Sequence, residues 1–292
     1  MKRGFFLRDV VIIGHGPAAV SAALYLRRAN KTAVLVGKDA GALEKAEKIE
    51  NYYGLESVLS GAELAKVGID QAARLGAEIV VDEVLDISWE GDYVVTAKNS
   101  SYRAKAVIIA CGAARKTLPI KGIAEFEGKG VSYCAVCDAF FYRGKTVGVL
   151  GAGDYAIHEL EHLLNVADKA YLFTNGEPAP NFFNEKVTVI TEKIVEVAGE
   201  NTVEAVLLQN GEKAAVSGFF VALGSATAAD FARKLGAMSE NGAIKVDDKM
   251  STGVPGLFAA GDCTGGLKQV AVAAAQGAAA GLSAITFINK GI

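Results

Sequence analysis

The chain is 292 residues long, enough for one large domain or two of ordinary size. Hydrophobic residues make up 51% of it and glycine occupies 33 positions, a composition that builds packed cores and excludes a disordered chain. A net charge of −3 gives no strong attraction to nucleic acid or to anionic membranes.

Lys2, Arg3 and Arg8 surround no apolar segment of signal-peptide length. Asp9-Val10-Val11-Ile12-Ile13 then reads as a buried strand. The glycine turn Gly14-His15-Gly16-Pro17-Ala18-Ala19 follows, then a helix to Ala29 and a second strand over 33–36. Residues 78–87 and 93–97 read as strands of a small sheet, and 106–112 as a buried strand ending on glycine.

The same grammar returns at Thr146-Val147-Gly148-Val149-Leu150, with the turn Gly151-Ala152-Gly153-Asp154-Tyr155-Ala156, a helix to Val166 and a strand over 170–173. Each copy is a βαβ unit of the dinucleotide-binding kind. The first glycine permits the turn, and the second lets backbone N–H groups approach a pyrophosphate at the helix N-terminus. Ala19 and Ala156 take the third place. The first copy reads as a dinucleotide site; for the second, nucleotide binding and simple packing both stand.

Short strands are expected at 187–190, 203–208 and 218–223, in a small sheet like that of the first half. Gly256-Leu257-Phe258-Ala259-Ala260-Gly261-Asp262 is a last buried strand. The Ala-rich stretch 270–288, interrupted by Gln276, reads as a packed helix rather than a bilayer span. The layout predicted is α/β: two Rossmann-like, three-layer ββα domains, the second inserted into the first. Residues 1–114 and 242–292 form the outer domain and 115–241 the inner, with hinges near 113–119 and 241–246.

Of four cysteines only Cys134 and Cys137 are close, which is no secreted disulfide framework and points to the cytoplasm. A Cys-x-x-Cys pair on a turn opening into a helix brings two sulfurs within bonding reach and favours the thiolate. A structural zinc site needs four ligands, and Cys111 and Cys263 each stand alone at strand ends. The pair therefore reads as redox-active. His158-Glu159-Leu160-Glu161-His162 matches the zinc-hydrolase pattern H-E-x-x-H. It lies in the helix of the second βαβ unit, where Leu160, Leu163 and Leu164 are needed for packing, and it reads as helix. No metal site is assigned.

These motifs, with Ile49-Glu50-Asn51-Tyr52-Tyr53-Gly54 and Cys134-Ala135-Val136-Cys137-Asp138, resemble the low-molecular-weight thioredoxin reductases along nearly the whole chain. The position of the dithiol just before the second glycine motif is specific to that branch. The resemblance implies FAD in the outer domain. Gly14, Gly16, Pro17 and Ala18 would hold its pyrophosphate, and Val84 would present backbone to the adenine. Cys111 and Gly112 would line the same side. Gly261-Asp262 would meet the ribityl chain, Asn51 would lie near the flavin, and Lys268-Gln269-Val270 would start the helix beneath its ring. It implies that Cys137 faces the flavin, Cys134 attacks the substrate disulfide and Asp138 transfers the proton. It also implies a homodimer whose inner domain rotates, with thioredoxin or a similar small disulfide protein as partner.

One segment departs from the family. NADPH-dependent members carry a His-Arg-Arg run after the second strand of the inner unit; this chain has Phe173-Thr174-Asn175-Gly176-Glu177-Pro178, with no arginine between Arg143 and Arg233. The acid that selects NAD is absent too, its place taken by Thr174. NAD(P)H as donor is thus left open, and two readings stand: loose NADH or NADPH binding, or membership of the nucleotide-independent branch that takes electrons from ferredoxin. Two other functions share these parts: a dithiol oxidase passing electrons to oxygen, and a non-catalytic flavin redox sensor. Ala40-Gly41-Ala42-Leu43 also lacks the glutamine that the family places there.

Overall fold

The computed structural model describes residues 6–113 and 118–291. In chain order, β1 (Arg8–Ile13) leads through α1 (Pro17–Arg28) to β2 (Ala33–Gly37). Then come α2 (Gly61–Arg74), β3 (Glu78–Val81), β4 (Val84–Trp89), β5 (Tyr93–Ala97) and β6 (Ser101–Ile109). A capping box starts α2: Ser60 Oγ accepts the Glu63 N–H at 3.2 Å and the Glu63 carboxylate accepts the Ser60 N–H at 2.7 Å.

Strands β3, β2, β1 and β6 form a parallel sheet in that order. Val10 to Ile13 and Val107 to Ile109 are buried, as unbroken apolar runs in a parallel sheet require. The stretch 78–87, expected as one strand, is two. Asp82 breaks it, because its buried carboxylate accepts from the Glu83 N–H, the Asn99 N–H and amide, and Ser100 Oγ at 2.8–3.1 Å. That turn sends β4 into antiparallel pairing with β5, and β5 pairs likewise with the first half of β6.

The chain continues with β7 (Val131–Ser132), α3 (Ala135–Asp138), β8 (Thr146–Leu150), α4 (Asp154–Leu164), β9 (Lys169–Phe173) and β10 (Val187–Ile190). Next are β11 (Ile194–Ala198), β12 (Ala205–Leu208), β13 (Lys213–Ala215) and β14 (Gly218–Val221). A parallel sheet runs β10-β9-β8-β14-β7, and β11-β12-β13 form a small antiparallel sheet. Two expectations change here. Residues 187–190 and 218–221 belong to the parallel sheet, not the small one, and β11 lies in a segment not expected to be a strand. All of β14 is buried, which suits the middle of a covered sheet.

The last elements are α5 (Ala228–Lys234), a hairpin of β15 (Ser239–Glu240) and β16 (Ala243–Ile244), β17 (Leu257–Ala259) and α6 (Val270–Lys290). Strand β17 pairs in parallel with the second half of β6. Helix α6 is long and apolar enough to cross a membrane, yet it packs closely on α1, with Gly277 and Gly281 against Ala18 and Ala22. Small residues on both faces allow that approach.

The chain divides into two compact units, Met1–Arg115 with Thr227–Ile292, and Lys116–Ala226. The first expected hinge lies largely outside the described residues. The second boundary is corrected: it falls at Ala226/Thr227, not at 241/242. The reason is α5, which packs on β4 and β16. Its Lys234 ammonium, almost wholly buried, pairs with Asp86 on β4 at 2.9 Å, and a buried cation needs such a partner.

Candidate active site

In the outer unit Gly14, Cys111 and Gly261 follow the ends of the parallel strands β1, β6 and β17, the usual ligand crevice of such sheets. Gly14 leaves β1 with φ +119, and a side chain there would run into the carbonyl of Ala110, just before Cys111. Gly14 is thus demanded by the protein itself. Gly16 is not: its φ is −74, and a Cβ would meet nothing nearer than the Ala40 oxygen at 3.9 Å. Pro17 opens α1, no side chain caps the helix and its first turn holds no acid. Uncapped N–H groups beside open space over a glycine fit an anionic pyrophosphate.

Around this loop, Cys111 is exposed and Gly112 has φ +79 with open space beside it. The Asp82 N–H donates to the carbonyl of Gly37 at 3.1 Å, which brings buried Val84 to the ends of β2 and β3. After β17, Gly261 takes φ +84 and its N–H donates to Gln276 Oε1 at 2.8 Å, orienting the turn that bears Asp262. Gln276, met in the sequence only as a break in an apolar run, thus has a structural task. Asn51 donates to Gln269 Oε1 at 3.2 Å, beside Lys268 and at the start of α6, whose first helical residue is Val270. Helix α6 has no side-chain cap either. The residues present therefore fit a flavin dinucleotide.

His15 is buried in the same loop, with Nε2 3.4 Å from the carbonyl of Leu35, and burial pushes its pKa down. Cys263 is buried as well; its thiol donates to the carbonyls of Ala260 and Ile109, and burial raises its pKa far above the ordinary value.

In the inner unit Cys134 and Cys137 are joined, with an S–S distance of 2.06 Å. Cys134 caps α3, its Sγ accepting the Cys137 N–H at 3.1 Å. Cys134 is only 1% exposed, whereas Cys137 is exposed. The expected attacking sulfur is therefore the covered one of the pair. Asp138 accepts a hydrogen bond from Ser132 Oγ at 2.6 Å, and the same hydroxyl accepts the Cys134 N–H at 3.1 Å. Ser132 was not singled out in the sequence, because serine two residues before a cysteine carries no signal. Val136, Phe140 and Phe141 are exposed beside the pair, and Arg143 lies over the Phe140 ring at 5.6 Å.

Helix α4 sets His158 and His162 side by side, Nε2 to Nε2 at 3.2 Å. Glu159, however, is buried, and its Oε2 accepts the Ala135 N–H at 2.7 Å. The glutamate of the H-E-x-x-H pattern serves the backbone of α3. Leu160 and Leu163 are buried and Leu164 is half-buried.

At the end of β9, Thr174 is buried and its hydroxyl donates to the carbonyl of Glu177 at 2.5 Å. Asn175 Oδ1 accepts the Ile194 N–H at 2.8 Å. The turn where nucleotide-selecting residues would sit is closed on itself.

The family model for pyridine nucleotide-disulphide oxidoreductases matches residues 8–277. A thioredoxin reductase of Aquifex aeolicus (strain VF5) is 39% identical, covering 96% of this chain and 93% of its own length. Among solved structures, an atypical thioredoxin reductase from Desulfovibrio vulgaris Hildenborough superposes with a TM-score of 0.91 at 36% identity, over 97% of this chain and 98% of that one. A ferredoxin-flavin thioredoxin reductase from Clostridium acetobutylicum does so at 0.73 and 32% identity, over 97% and 98%. With such identity sustained along nearly the whole of both chains, this chain belongs to the low-molecular-weight thioredoxin reductases, a branch of the pyridine nucleotide-disulphide oxidoreductases, and is an oxidoreductase of the thioredoxin-disulfide reductase type.

Proposed function

We propose that the chain is an FAD-dependent disulfide reductase that passes electrons through Cys134 and Cys137 to thioredoxin or a similar small disulfide protein, and that its donor is a reduced ferredoxin rather than NADPH. The observation that carries the output end is the bonded Cys134–Cys137 pair at the head of α3, beside exposed apolar side chains suited to a protein partner. For the donor it is the turn at Thr174, whose polar groups are spent internally and which holds no arginine. The ferredoxin-flavin relative from Clostridium acetobutylicum supports the same choice.

Gly14, Gly16, Pro17 and Ala18 hold the pyrophosphate of FAD. Val84, Cys111 and Gly112 hold its adenosine side, Gly261 and Asp262 the ribityl chain, and Asn51 with Lys268, Gln269 and Val270 the ring. The uncapped start of α6 favours negative charge at its end. Bound there, FAD supplies two electrons to the disulfide. Cys134–Cys137 takes up those electrons and two protons, Asp138 passing one of them. Once Cys134 becomes exposed, its thiolate attacks the partner's disulfide and releases one partner thiolate. Cys137 then attacks Cys134, re-forming the internal bond and releasing the second.

The test is anaerobic. The flavoprotein is mixed separately with NADPH, NADH and reduced ferredoxin while flavin absorbance is followed, and oxidised thioredoxin is then added. Bleaching by ferredoxin alone, with recovery on adding thioredoxin, is expected. Bleaching by NADPH or NADH within a turnover overturns the donor. Recovery with oxygen but not with thioredoxin replaces the reductase by a dithiol oxidase. Cys137→Ser is expected to keep FAD and lose disulfide reduction; full activity in that variant refutes the dithiol route.

A further inference from the structure

Five residues of α4 are buried, Tyr155, Ala156, Glu159, Leu160 and Leu163, and Glu159 is the acid among them. At 2% exposure a carboxylate requires hydrogen-bond partners. It finds the Ala135 N–H, 2.7 Å from Oε2. Ala135 follows Cys134 directly in the chain, so the carboxylate lies against the backbone that carries the dithiol. Ser132 holds the same turn through the Cys134 N–H and Asp138.

We propose that Glu159 is a positioning residue for the Cys134–Cys137 pair: it holds the turn through Ala135, and its charge makes the dithiol a stronger reductant. The inference rests on Cys134–Cys137 being the redox pair. Reduction adds two electrons and two protons and breaks one S–S bond to give two thiols; in the test below dithiothreitol supplies both and becomes its own disulfide. A Cys134 thiolate, next in the chain to the Ala135 N–H that holds the carboxylate, is disfavoured by like charge. The reduced state is then stabilised less than in dithiols whose thiolate meets positive surroundings, and a less stabilised reduced state gives up its electrons more readily.

Two substitutions separate geometry from charge. Glu159→Gln keeps an oxygen for the Ala135 N–H and removes the charge, while Glu159→Asp keeps the charge. The FAD-loaded full chain is equilibrated with mixtures of reduced and oxidised dithiothreitol and quenched with acid. Alkylation at Cys134 and Cys137 is then counted by peptide mass. At about pH 10, where the thiols ionise, Glu159→Gln is expected to move the equilibrium about tenfold toward the dithiol, which is about 30 mV for two electrons, with flavin absorbance retained. Glu159→Asp is expected to stay within about threefold of the wild type.

A Glu159→Gln equilibrium within about twofold of the wild type, or displaced toward the disulfide, overturns the proposal. Should Glu159→Gln fail to fold, the wild type decides. The alkylation rate of its reduced pair against pH is expected to give an apparent pKa at or above about 8.5, the value of a free cysteine, and one below about 7.5 overturns the proposal. Neither measurement uses thioredoxin, ferredoxin or a nucleotide, so a negative result leaves the proposed electron route standing. A pair that does not exchange with dithiothreitol at all refutes the redox-pair reading itself.

Discussion

Asn51 donates its side-chain amide to Gln269 Oε1 at 3.2 Å, joining two segments that lie 218 residues apart in the chain. The bond fixes the residue before α6 in place, at the end of the helix proposed to lie beneath the flavin ring. Asn51→Ala removes one hydrogen bond, worth about 1 kcal/mol. The expected result is FAD affinity lowered about fivefold, measured by flavin fluorescence on titrating the apoprotein.

The two glycines of the first loop are expected to respond in opposite ways. Gly14→Ala places a side chain at φ +119 against the Ala110 carbonyl, so the protein itself is destabilised, by about 2 kcal/mol or more. Gly16→Val meets no protein atom at its Cβ nearer than 3.9 Å. Apoprotein stability is expected to fall by no more than about 1 kcal/mol, the cost of replacing glycine at a helix N-cap. FAD affinity should nevertheless fall at least about tenfold, since the side chain fills the space that backbone leaves for pyrophosphate. Denaturant unfolding of the apoprotein and an FAD titration separate the two effects.

Asp82 links acidity to stability. Burial raises its pKa, but the bonds from Ser100, Glu83 and Asn99 outweigh burial and hold it below the ordinary carboxylate value. A folded-state pKa below the unfolded one contributes stability that is complete above the unfolded value, about 3.9, and is lost as pH falls through the folded one. Asp82→Asn is therefore expected to flatten the loss of stability below about pH 5. Asp82→Ala, which strips several donors of their acceptor, is expected to cost about 2 kcal/mol at neutral pH. Urea unfolding at a series of pH values checks both.

Phe140 and Phe141 stand exposed beside the dithiol, their rings 6.4 Å apart. If a protein partner docks on them, replacing both by alanine raises KM for thioredoxin about tenfold, roughly 1.4 kcal/mol, which is ordinary for exposed aromatics at an interface. Reduction of a small aromatic disulfide is expected to keep its rate. Equal loss with both substrates would place the effect at the dithiol rather than at docking.

Much of this was legible in residue order. Two strand–glycine–helix–strand units announce themselves because a buried parallel strand must be apolar throughout and a pyrophosphate turn must be small. Cys134 and Cys137 announce themselves by spacing. Other features were not legible, because the controlling contact lies far off in the chain. Residues 78–87 are apolar enough for one strand, and only Asn99 and Ser100 folding back onto Asp82 divide it. Residues 227–241 read as part of the inner unit until Lys234 finds Asp86 on β4. Glu159 shows as one acid on the stripe of Ala156, Leu160 and Leu163, a signal hidden by its place in an H-E-x-x-H match.

By itself, then, the sequence determined the two dinucleotide-type units, the dithiol and the lack of an arginine cluster after β9, since each is a matter of local residue type and spacing. Tertiary structure alone decided which sulfur is covered, where the second unit boundary falls and that Glu159 holds the Ala135 N–H. Those outcomes depend on burying charges and backbone donors with partners, and such partners are supplied by packing, not by neighbours in the chain.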